Sequence, residues 1–366
     1  MSELLAAWRE RVRAAAAEKT PLRIVGGGSK DFYGQQLAGD VFEVGGFAGI
    51  VDYDPTELVI TARCGTPLAD IERAMAESGQ MLAFEPPHFG PNATLGGCIA
   101  AGLSGPRRAY AGAVRDVVLG VRLLDGQGDA LAFGGRVMKN VAGFDVSRLI
   151  AGSLGTLGVV LEVSLKCLPL PRAEATRRFE LPADEALRKL NEWSAAPLPL
   201  SASCWHDRWL HLRLSGAESA VAAAARRLGG ETLDDAAAYW AAVRDQTHPF
   251  FAPFRAAAPA QGAVQPAPAL WRLSVRSTAP PAPIGEATMI EWGGALRWIV
   301  APGDDAPQTR AWAAAHGGHA TLFRAADKSV GAFHPLPPAM LALHRRLKAA
   351  LDPAGIFNPG RMYAEL

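Results

Sequence analysis

The chain has 366 residues, enough for two packed domains, and 49% of them are hydrophobic while 20% are charged. This composition is typical of a folded globular protein and excludes a largely disordered chain. Lysine and arginine number 37 against 36 acidic residues, which gives a net charge of +1. Such a balance gives no electrostatic basis for binding nucleic acid or an anionic membrane, so small molecules and other proteins are the expected partners.

The N-terminal stretch MSELLAAWRERVRAAAAEKT mixes glutamate and arginine with apolar residues. This pattern predicts an amphipathic helix rather than a secretory signal peptide. The sequence contains no run of about 18 apolar residues, the length needed to span a bilayer. We therefore expect a cytoplasmic protein that reaches a membrane only through a partner.

The four cysteines lie far apart, without the close spacing typical of zinc or iron–sulfur ligands. The sequence therefore predicts no metal centre, and thiols that are reduced and mostly buried. The residues concerned are Cys64, Cys98, Cys167 and Cys204.

The character of the sequence changes near residue 170, which predicts a domain boundary there. Before it, glycine-rich segments alternate with β-branched runs such as ELVITARCG; after it, alanine-rich helical patterns alternate with short strands. The later region predicts an α+β domain with one antiparallel sheet and helices on one of its faces. Its predicted elements are a strand at 176–181, a helix at 183–194, a hairpin at 201–216, a helix at 217–228, strands at 270–275 and 295–301, a helix at 306–316 and a strand at 319–325. No internal sequence repeat is evident.

The segment IVGGGSKDFYG, residues 24–34, places three consecutive glycines after a short β-like run. It matches neither the Walker loop nor the dinucleotide fingerprint. Consecutive glycines can nevertheless point successive N–H groups into one concavity, where an anionic group can approach the bare backbone. A tight turn between two strands is the alternative explanation.

Two further glycine clusters follow in the first half of the chain. Residues 85–112, EPPHFGPNATLGGCIAAGLSGPRRAYAG, contain almost only small residues between the glycines, so this backbone can lie along a long, flat, polar ligand. Residues 151–171, AGSLGTLGVVLEVSLKCLPLP, space their glycines three apart just before a strand. Close packing of a helix against a strand is the alternative explanation of this third cluster.

These three segments, followed by an α+β region and the terminal DPAGIFNPGRMY, resemble the flavoprotein family typified by vanillyl-alcohol oxidase, with its PCMH-type FAD-binding domain. More narrowly, GLSGPRRAYAGAVRDVVLGVRLLDGQG, VMKNVAGFDVSRLIAGSLGTLG, SASCWHD, RDQTHPFF and GIFNPGRM resemble GlcE-type subunits of bacterial glycolate oxidase. The resemblance covers essentially the whole chain. It implies a PCMH-type FAD-binding domain of two subdomains over 1–172, a smaller ferredoxin-like α+β cap domain over 173–345, and a C-terminal segment, 346–366, that returns to the FAD domain.

The resemblance also implies which residues hold FAD. The first segment would supply the diphosphate loop, the second would lie along the cofactor, and the third would approach it from the other side. A simple helix stop is the alternative explanation for the C-terminal NPG turn. The implied cofactor-binding residues are Val25, Gly26, Gly27, Gly28, Ser29, Lys30, Pro86, Thr94, Gly96, Gly97, Ala101, Gly102, Ser104, Gly105, Gly155, Gly158, Val159 and Arg361.

Departures from the family pattern shape what we expect of the site. Some relatives carry a histidine linked covalently to the flavin where this chain has Ser29, so non-covalent FAD is expected. His88 is a rival linkage site, for which an exposed loop histidine is the plainer explanation. Leu154 replaces the acidic residue of the catalytic subunit's GSEGTLG stretch, and the EHGxG motif associated with 2-hydroxy-acid oxidation is not found. This subunit is therefore expected to bind FAD without necessarily oxidising glycolate itself.

Oxidation of a 2-hydroxy acid needs a cation for the carboxylate, a base for the hydroxyl proton and a hydride acceptor. The catalytic residues are left unassigned, with Lys139, His319 and Arg324 as candidates. Other histidines and arginines suit these roles by type but have structural explanations as good, namely Arg297, His206 and His248. A metal site at His316 and His319 is not expected, because two glycines interrupt the helix between them.

The leading hypothesis is a cytoplasmic FAD-binding subunit of a glycolate oxidase complex that oxidises glycolate to glyoxylate. The resemblance implies a catalytic flavin subunit and an iron–sulfur subunit as partners, and attachment at the inner membrane face only through that complex. One alternative is a stand-alone FAD-dependent dehydrogenase for 2-hydroxy acids of the D-lactate type. Another is a structural subunit that has lost its FAD site.

Overall fold

The computed structural model describes residues 2–135, 145–254 and 268–366. The chain forms two compact units, the first made of Met1–Ser104, Gly112–Leu170 and Pro335–Leu366, the second of Gly105–Ala111 and Pro171–His334. The division differs from the expected one at three places. Residues 105–111 and 171–172 group with the second unit, and residues 335–345 group with the first.

The α-helices of the described ranges, in chain order, are α1 (Ser2–Glu18), α2 (Leu68–Glu77), α3 (Leu95–Ala101), α4 (Arg108–Ala111), α5 (Val114–Val117), α6 (Val146–Ile150), α7 (Ala183–Ser194), α8 (Glu218–Leu228), α9 (Ala236–Arg244), α10 (Ala306–Ala315) and α11 (Pro338–Leu351). The helices expected at the N-terminus, at 183–194, at 217–228 and at 306–316 are confirmed within one or two residues.

The strands of the same ranges are β1 (Leu22–Val25), β2 (Asp40–Glu43), β3 (Ile50–Asp54), β4 (Val59–Arg63), β5 (Gln80–Met81), β6 (Val118–Leu124), β7 (Ala130–Gly134), β8 (Val159–Lys166), β9 (Leu168–Pro169), β10 (Ala173–Glu180), β11 (Leu200–His206), β12 (Trp209–Gly216), β13 (Glu231–Thr232), β14 (Ala269–Ser274), β15 (Ala287–Glu291), β16 (Leu296–Ala301) and β17 (His319–Arg324). The expected hairpin at 201–216 is confirmed as β11 and β12, and its two turn residues, Asp207 and Arg208, both have positive φ.

The first unit contains two main sheets. β1 and β2 pair in parallel, and Leu22 of β1 also pairs in parallel with Phe357 near the C-terminus. The larger sheet is antiparallel with the order β3-β4-β8-β6-β7. Its central strand, VVLEVSLK, is buried at six of eight positions, so the core of this unit forms on both faces of β8.

Helix α1 belongs to this first core. Trp8, Val12 and Ala15 recur at helical spacing and are the buried residues of the helix. The ring of Trp8 lies 5.4 Å from that of Phe42 and 5.3 Å from that of Phe47. The amphipathic helix expected from the sequence is confirmed, and it packs beside the strands that precede and follow the first glycine segment.

The second unit is built on one eight-stranded antiparallel sheet with the order β13-β10-β12-β11-β15-β16-β14-β17. β10, α7, β11, β12, α8 and β13 give a ferredoxin-like half. β14 to β17 repeat the same spatial order, with no helix between β14 and β15 in this described stretch. The two halves join through β11 and β15. The unit is thus a structural duplication, although no sequence repeat marks it.

Helices lie on both faces of this sheet, so the expectation of helices on one face was wrong. Leu210, Leu212 and Leu214 pack under α7 and α8. The intervening positions of β12 face the other way, where α9 packs. Trp240 of α9 donates from Nε1 to Thr176 Oγ1 at 2.9 Å, and the Arg213 guanidinium lies 5.0 Å from its ring. The side opposite α7 and α8 is therefore covered by a helix as well.

Candidate functional site

A cleft opens in the first unit where the three glycine segments meet, with about 750 Å³ of space not filled by atoms, part of it open to solvent. The cleft is lined by residues from each of the three segments and from the C-terminal turn. The predicted residues that line it are Gly26, Gly27, Gly28, Ser29, Lys30, Thr94, Gly96, Gly97, Ala101, Gly155, Gly158, Val159 and Arg361.

The first glycine segment presents backbone donors to this cleft. Within the described part of the chain, the N–H groups of residues 26–29 donate to no protein acceptor. The Asp31 N–H donates back to the Gly28 carbonyl at 3.1 Å and closes the turn, and Gly28 has φ +69°. Consecutive free N–H groups in such a turn are suited to an anionic ligand such as a diphosphate.

Close contacts between segments explain why glycine occupies several of these positions. A Cβ at Gly27 would overlap the carbonyl oxygen of Asn92, and one at Gly26 would lie 2.7 Å from Thr94 Oγ1. A Cβ at Gly96 would lie 2.7 Å from Cys64 Cβ. Gly26 and Gly27 therefore let the first segment approach the second closely, and Gly96 lets the second segment pack on Cys64.

The second segment is anchored by a capped helix and by Lys30. Thr94 is the N-cap of α3 and accepts from the Gly97 N–H at 3.3 Å. Lys30 Nζ donates to the His88 carbonyl at 3.3 Å and lies 5.6 Å from the Phe89 ring. Phe89 has φ +54°, an unusual conformation for a bulky residue and one that clusters at functional sites.

The C-terminal segment forms the fourth side of the cleft. Asn358 Oδ1 accepts from the Ile24 N–H at 2.9 Å, and its Nδ2 donates to the Leu154 carbonyl at 2.7 Å. Its own backbone N–H donates to the Leu22 carbonyl at 2.9 Å. One buried amide thus joins the strand before the first glycine segment to the third segment.

Arg361 holds the loop that follows the first glycine segment. It is 5% exposed, and its guanidinium donates to the Asp31 carbonyl at 2.8 Å and to the Gln35 carbonyl. Burial lowers the pKa of Arg361 to about 10, while the Asp31 carboxylate opposes that shift. Burial raises the pKa of Asp31, which the positive charge of Arg361 partly offsets. Arg361 therefore both lines the cleft and fixes one of its loops.

Five predicted residues do not line the cleft. Val25 ends β1, and its carbonyl accepts from the Val44 N–H at 2.8 Å. Gly102 caps α3 with φ +67° and packs against Gly152. Ser104 Oγ accepts from the Val114 N–H at 3.0 Å. The other two residues outside the lining are Pro86 and Gly105, the latter belonging to the second unit.

The sequence missed several lining residues, which are mostly apolar. Ile24, Val44, Cys64 and Val160 lie in or directly after strands whose patterns indicate core positions and carry no ligand signal. Asn358 and Leu154 lie in motifs that the sequence did single out. The added residues are Ile24, Asp31, Leu37, Val44, Cys64, Ala100, Leu154, Val160 and Asn358.

Comparisons with known proteins agree with this geometry. The FAD binding domain family matches residues 5–134, and the family of FAD linked oxidases, C-terminal domain, matches residues 335–362. The glycolate oxidase subunit GlcE of Escherichia coli (strain K12) is 49% identical over 98% of this chain and 97% of its own length. The chain belongs to the GlcE family of FAD-linked oxidoreductases.

More distant relatives share part of this GlcE-family chain. The glycolate oxidase subunit GlcD of Bacillus subtilis (strain 168) is 35% identical over 35% of this chain and 27% of its own. The mitochondrial D-lactate dehydrogenase [cytochrome] 1 of Saccharomyces cerevisiae is 33% identical over 34% of this chain and 21% of its own. A solved alkyldihydroxyacetonephosphate synthase has the same fold, with a TM-score of 0.64 at 16% identity over 96% of this chain and 74% of its own.

In this GlcE-family chain, the catalytic candidates that the structure describes do not line the cleft. His319 and Arg324 lie on β17 of the second unit, and Lys139 lies outside the described residues. Arg324 Nε donates to Gln246 Oε1 at 3.2 Å, and burial lowers its pKa to about 10. Burial, and then the nearby Arg272, His334 and Arg108, lower the pKa of His319.

The remaining candidates also belong to the second unit. The rings of His206 and His248 lie 5.6 Å apart. His211, which was not among the candidates, lies in the same cluster: its ring is 4.1 Å from that of Tyr239, which is 5.7 Å from that of His248. Burial lowers the pKa values of His211 and His248 to about 4, with charge repulsion adding to the effect. Arg297 is fully buried, donates to the Ala279 carbonyl at 2.9 Å and has a pKa lowered to about 10 by burial.

His88 does not line the cleft. Its Nε2 lies 3.0 Å from Glu72 Oε2, and its carbonyl, rather than its ring, accepts from Lys30. In the described parts of the chain, no group of three or more histidine, cysteine or acidic side chains could hold a metal ion. None of the helices described there is both long and apolar enough to cross a bilayer.

Proposed function

We propose that this chain is the FAD-binding subunit of a glycolate oxidase complex and that it holds FAD non-covalently in the cleft of its first unit. The observation that carries the proposal is the convergence of three glycine segments on one cleft, whose lining residues 26–29 have N–H groups without an acceptor among the described residues. An elongated cofactor with a diphosphate at its middle suits that arrangement.

The lining residues fit distinct parts of FAD. Residues 26–29 would donate to the diphosphate, and the small residues Gly96, Gly97 and Ala101 would allow close contact along the cofactor. Gly155, Gly158 and Val159 would contact it from the opposite side. The flavin ring, when bound, supplies a hydride acceptor.

Two side chains of the lining support a non-covalent site. Ser29 occupies the position at which some relatives carry a linking histidine, and its hydroxyl accepts from Lys30 Nζ at 3.3 Å. The thiol of Cys64 also belongs to the lining, but burial raises its pKa to about 12. A thiol with so high a pKa stays protonated and is a poor nucleophile.

In this proposal the chain binds FAD, and a partner subunit carries the substrate site. We assign the oxidation of glycolate to glyoxylate to the complex, with a catalytic flavin subunit and an iron–sulfur subunit as partners. Two features of this chain favour an accessory subunit. Burial lowers the pKa values of His211 and His248 to about 4, which makes them weak bases for removing a hydroxyl proton. Arg297 is fully buried in the second unit, where it cannot bind a substrate carboxylate. Localisation in the cytoplasm, at the inner membrane face only through the complex, belongs to the same proposal.

The test begins with a visible absorption spectrum of the purified chain before and after acid precipitation. Flavin that passes into the supernatant is expected for a non-covalent site. Flavin that stays with the precipitate would show a covalent bond, and no flavin after saturation with added FAD would overturn the assignment of the cleft.

A second step adds glycolate or D-lactate without oxygen. We expect the flavin of the isolated chain to keep its colour, and to bleach with glycolate only after the catalytic and iron–sulfur subunits are added. Bleaching of the isolated chain would instead support the alternative, a stand-alone dehydrogenase for 2-hydroxy acids. The partial similarity to D-lactate dehydrogenases is the observation that favours this alternative.

A further inference from the structure

A buried ammonium group lies behind the cleft. Lys348, on α11, is 8% exposed. Its Nζ donates to the Thr156 carbonyl, to Asp352 Oδ2 and to the Phe357 carbonyl, each at 2.7 Å. These three bonds account for the three donors of an ammonium group. Lys348 itself does not line the cleft.

The carboxylate of Asp352 completes this arrangement. It is 1% exposed, and it accepts from the Ile356 N–H at 3.1 Å and from the Phe357 N–H at 2.8 Å. A Cβ at Gly126 would lie 2.5 Å from Asp352 Oδ1, so the backbone of the 126 turn packs directly on the carboxylate. Asp352 therefore fixes the course of the chain from the end of α11 to Phe357.

The two carbonyls bound by Lys348 belong to two walls of the cleft. Thr156 follows Gly155 and precedes Gly158, which both line the cleft in the third glycine segment. Phe357 precedes Asn358, which lines the cleft in the C-terminal segment. One ammonium group thus sets the spacing between these walls from the side away from the ligand space.

We propose that the Lys348–Asp352 pair positions the two walls of the FAD cleft, and that its loss loosens these walls and weakens FAD binding. This inference rests on the proposed function, because it takes the occupant of the cleft to be FAD. Removing one member of a buried ion pair leaves the other uncompensated and its bonded groups without partners. Here those groups are the carbonyls that hold the 153–158 and 354–361 segments in place.

The variants are Lys348→Met, which removes the charge at similar length, and Asp352→Asn, which keeps the side-chain volume. Leu190→Ala, a fully buried position of α7 in the second unit, is the control for general destabilisation. Arg188→Met, in an exposed pair with Glu192 at 2.6 Å, is the control for loss of a surface ion pair.

The first measurement is hydrogen exchange of the apoprotein, which does not depend on the identity of the ligand. Faster exchange confined to residues 153–158 and 354–361 is expected in Lys348→Met and in Asp352→Asn. Unchanged exchange in both segments would overturn the proposal. If Lys348→Met fails to fold, the comparison rests on Asp352→Asn, for which the same outcomes apply.

The second measurement is the dissociation constant of added FAD, by quenching of flavin fluorescence. A rise of at least about tenfold is expected in both variants. Leu190→Ala is expected to lower the melting temperature without this rise, and Arg188→Met to change neither. An equal rise in Leu190→Ala would show that general destabilisation explains the effect. Failure of the wild-type chain to bind FAD would instead overturn the proposed function.

Discussion

Any side chain at Gly27 would force the backbone to shift, because a Cβ there would overlap the Asn92 carbonyl oxygen. The sequence predicted a flexible, anion-binding backbone at this segment. The structure adds a second requirement, which is that two backbones touch. That contact could not be predicted, since the partner residue is more than sixty positions away in the chain.

Gly27→Ala is expected to push the 26–30 loop away from Asn92 and to weaken FAD binding by at least about tenfold. Gly46→Ala is the matched control, because a Cβ at Gly46 meets nothing within 4 Å. The measurement is the dissociation constant of FAD for both variants. Equal affinities in the two variants would contradict the role of the close contact.

At the residue scale, the sequence identified most of the polar and glycine lining and missed most of the apolar lining. Val44 and Cys64 line the cleft, yet the residues two positions before them, Phe42 and Ala62, are ordinary core residues. An apolar residue gives the same sequence pattern whether its side chain faces the protein core or a ligand. Only the fold separates the two cases.

Among the elements, the hairpin β11–β12 and helix α7 follow from periodicity and turn chemistry, and α9 does not. The sequence AAAYWAAVR of α9 is apolar at nearly every position, so it has too few polar residues to define a face. Its position depends on Trp240, which donates to Thr176 of a strand sixty-four residues earlier. A contact of that kind is invisible in a local window, and its omission led to the wrong expectation about the faces of the sheet.

The stability of the second unit is expected to depend on pH through two histidines that lie beside Tyr239 of α9. The pKa values of His211 and His248 lie near 4 in the folded chain, below the ordinary value of 6.5. The unfolded chain therefore binds more protons between those values, and the stability that these residues contribute is lost as the pH falls from about 6.5 to about 4.

His211→Phe keeps an aromatic ring beside Tyr239 and removes one of the two titrating groups. Between about pH 6.5 and pH 4, we expect the melting temperature of this variant to fall by at least about 3 °C less than that of the wild type. The check is a series of thermal melts across that range. Parallel curves would contradict the assignment of acid sensitivity to His211.

At the scale of the whole molecule, Asn358 ties the two ends of the chain together. Its side chain bonds to Ile24 and Leu154, and both of those partners are backbone groups. Asn358→Ala would leave a buried N–H and a buried carbonyl unpaired, at a cost of about 2–4 kcal/mol in the free energy of unfolding. The measurement is a urea titration with FAD absent. A change below about 0.5 kcal/mol would contradict the structural role of this amide.

The resemblance to a flavoprotein family predicted an FAD-binding fold, which the periodicity of the sequence alone could not predict. The α+β class of the second unit followed from its alternating patterns. Its duplication did not, because the two halves share a strand order and no evident sequence. Nor could local patterns show that residues 105–111 group with the second unit.

The first unit is discontinuous, and it is completed only by residues 335–366. A ribosome therefore synthesises the whole second unit before it supplies the final wall of the cleft. A nascent chain that stops before Asn358 and Arg361 lacks the groups that bind the first glycine segment to the C-terminal turn. Under the proposed function, FAD is therefore captured only after residues 358–361 have been synthesised.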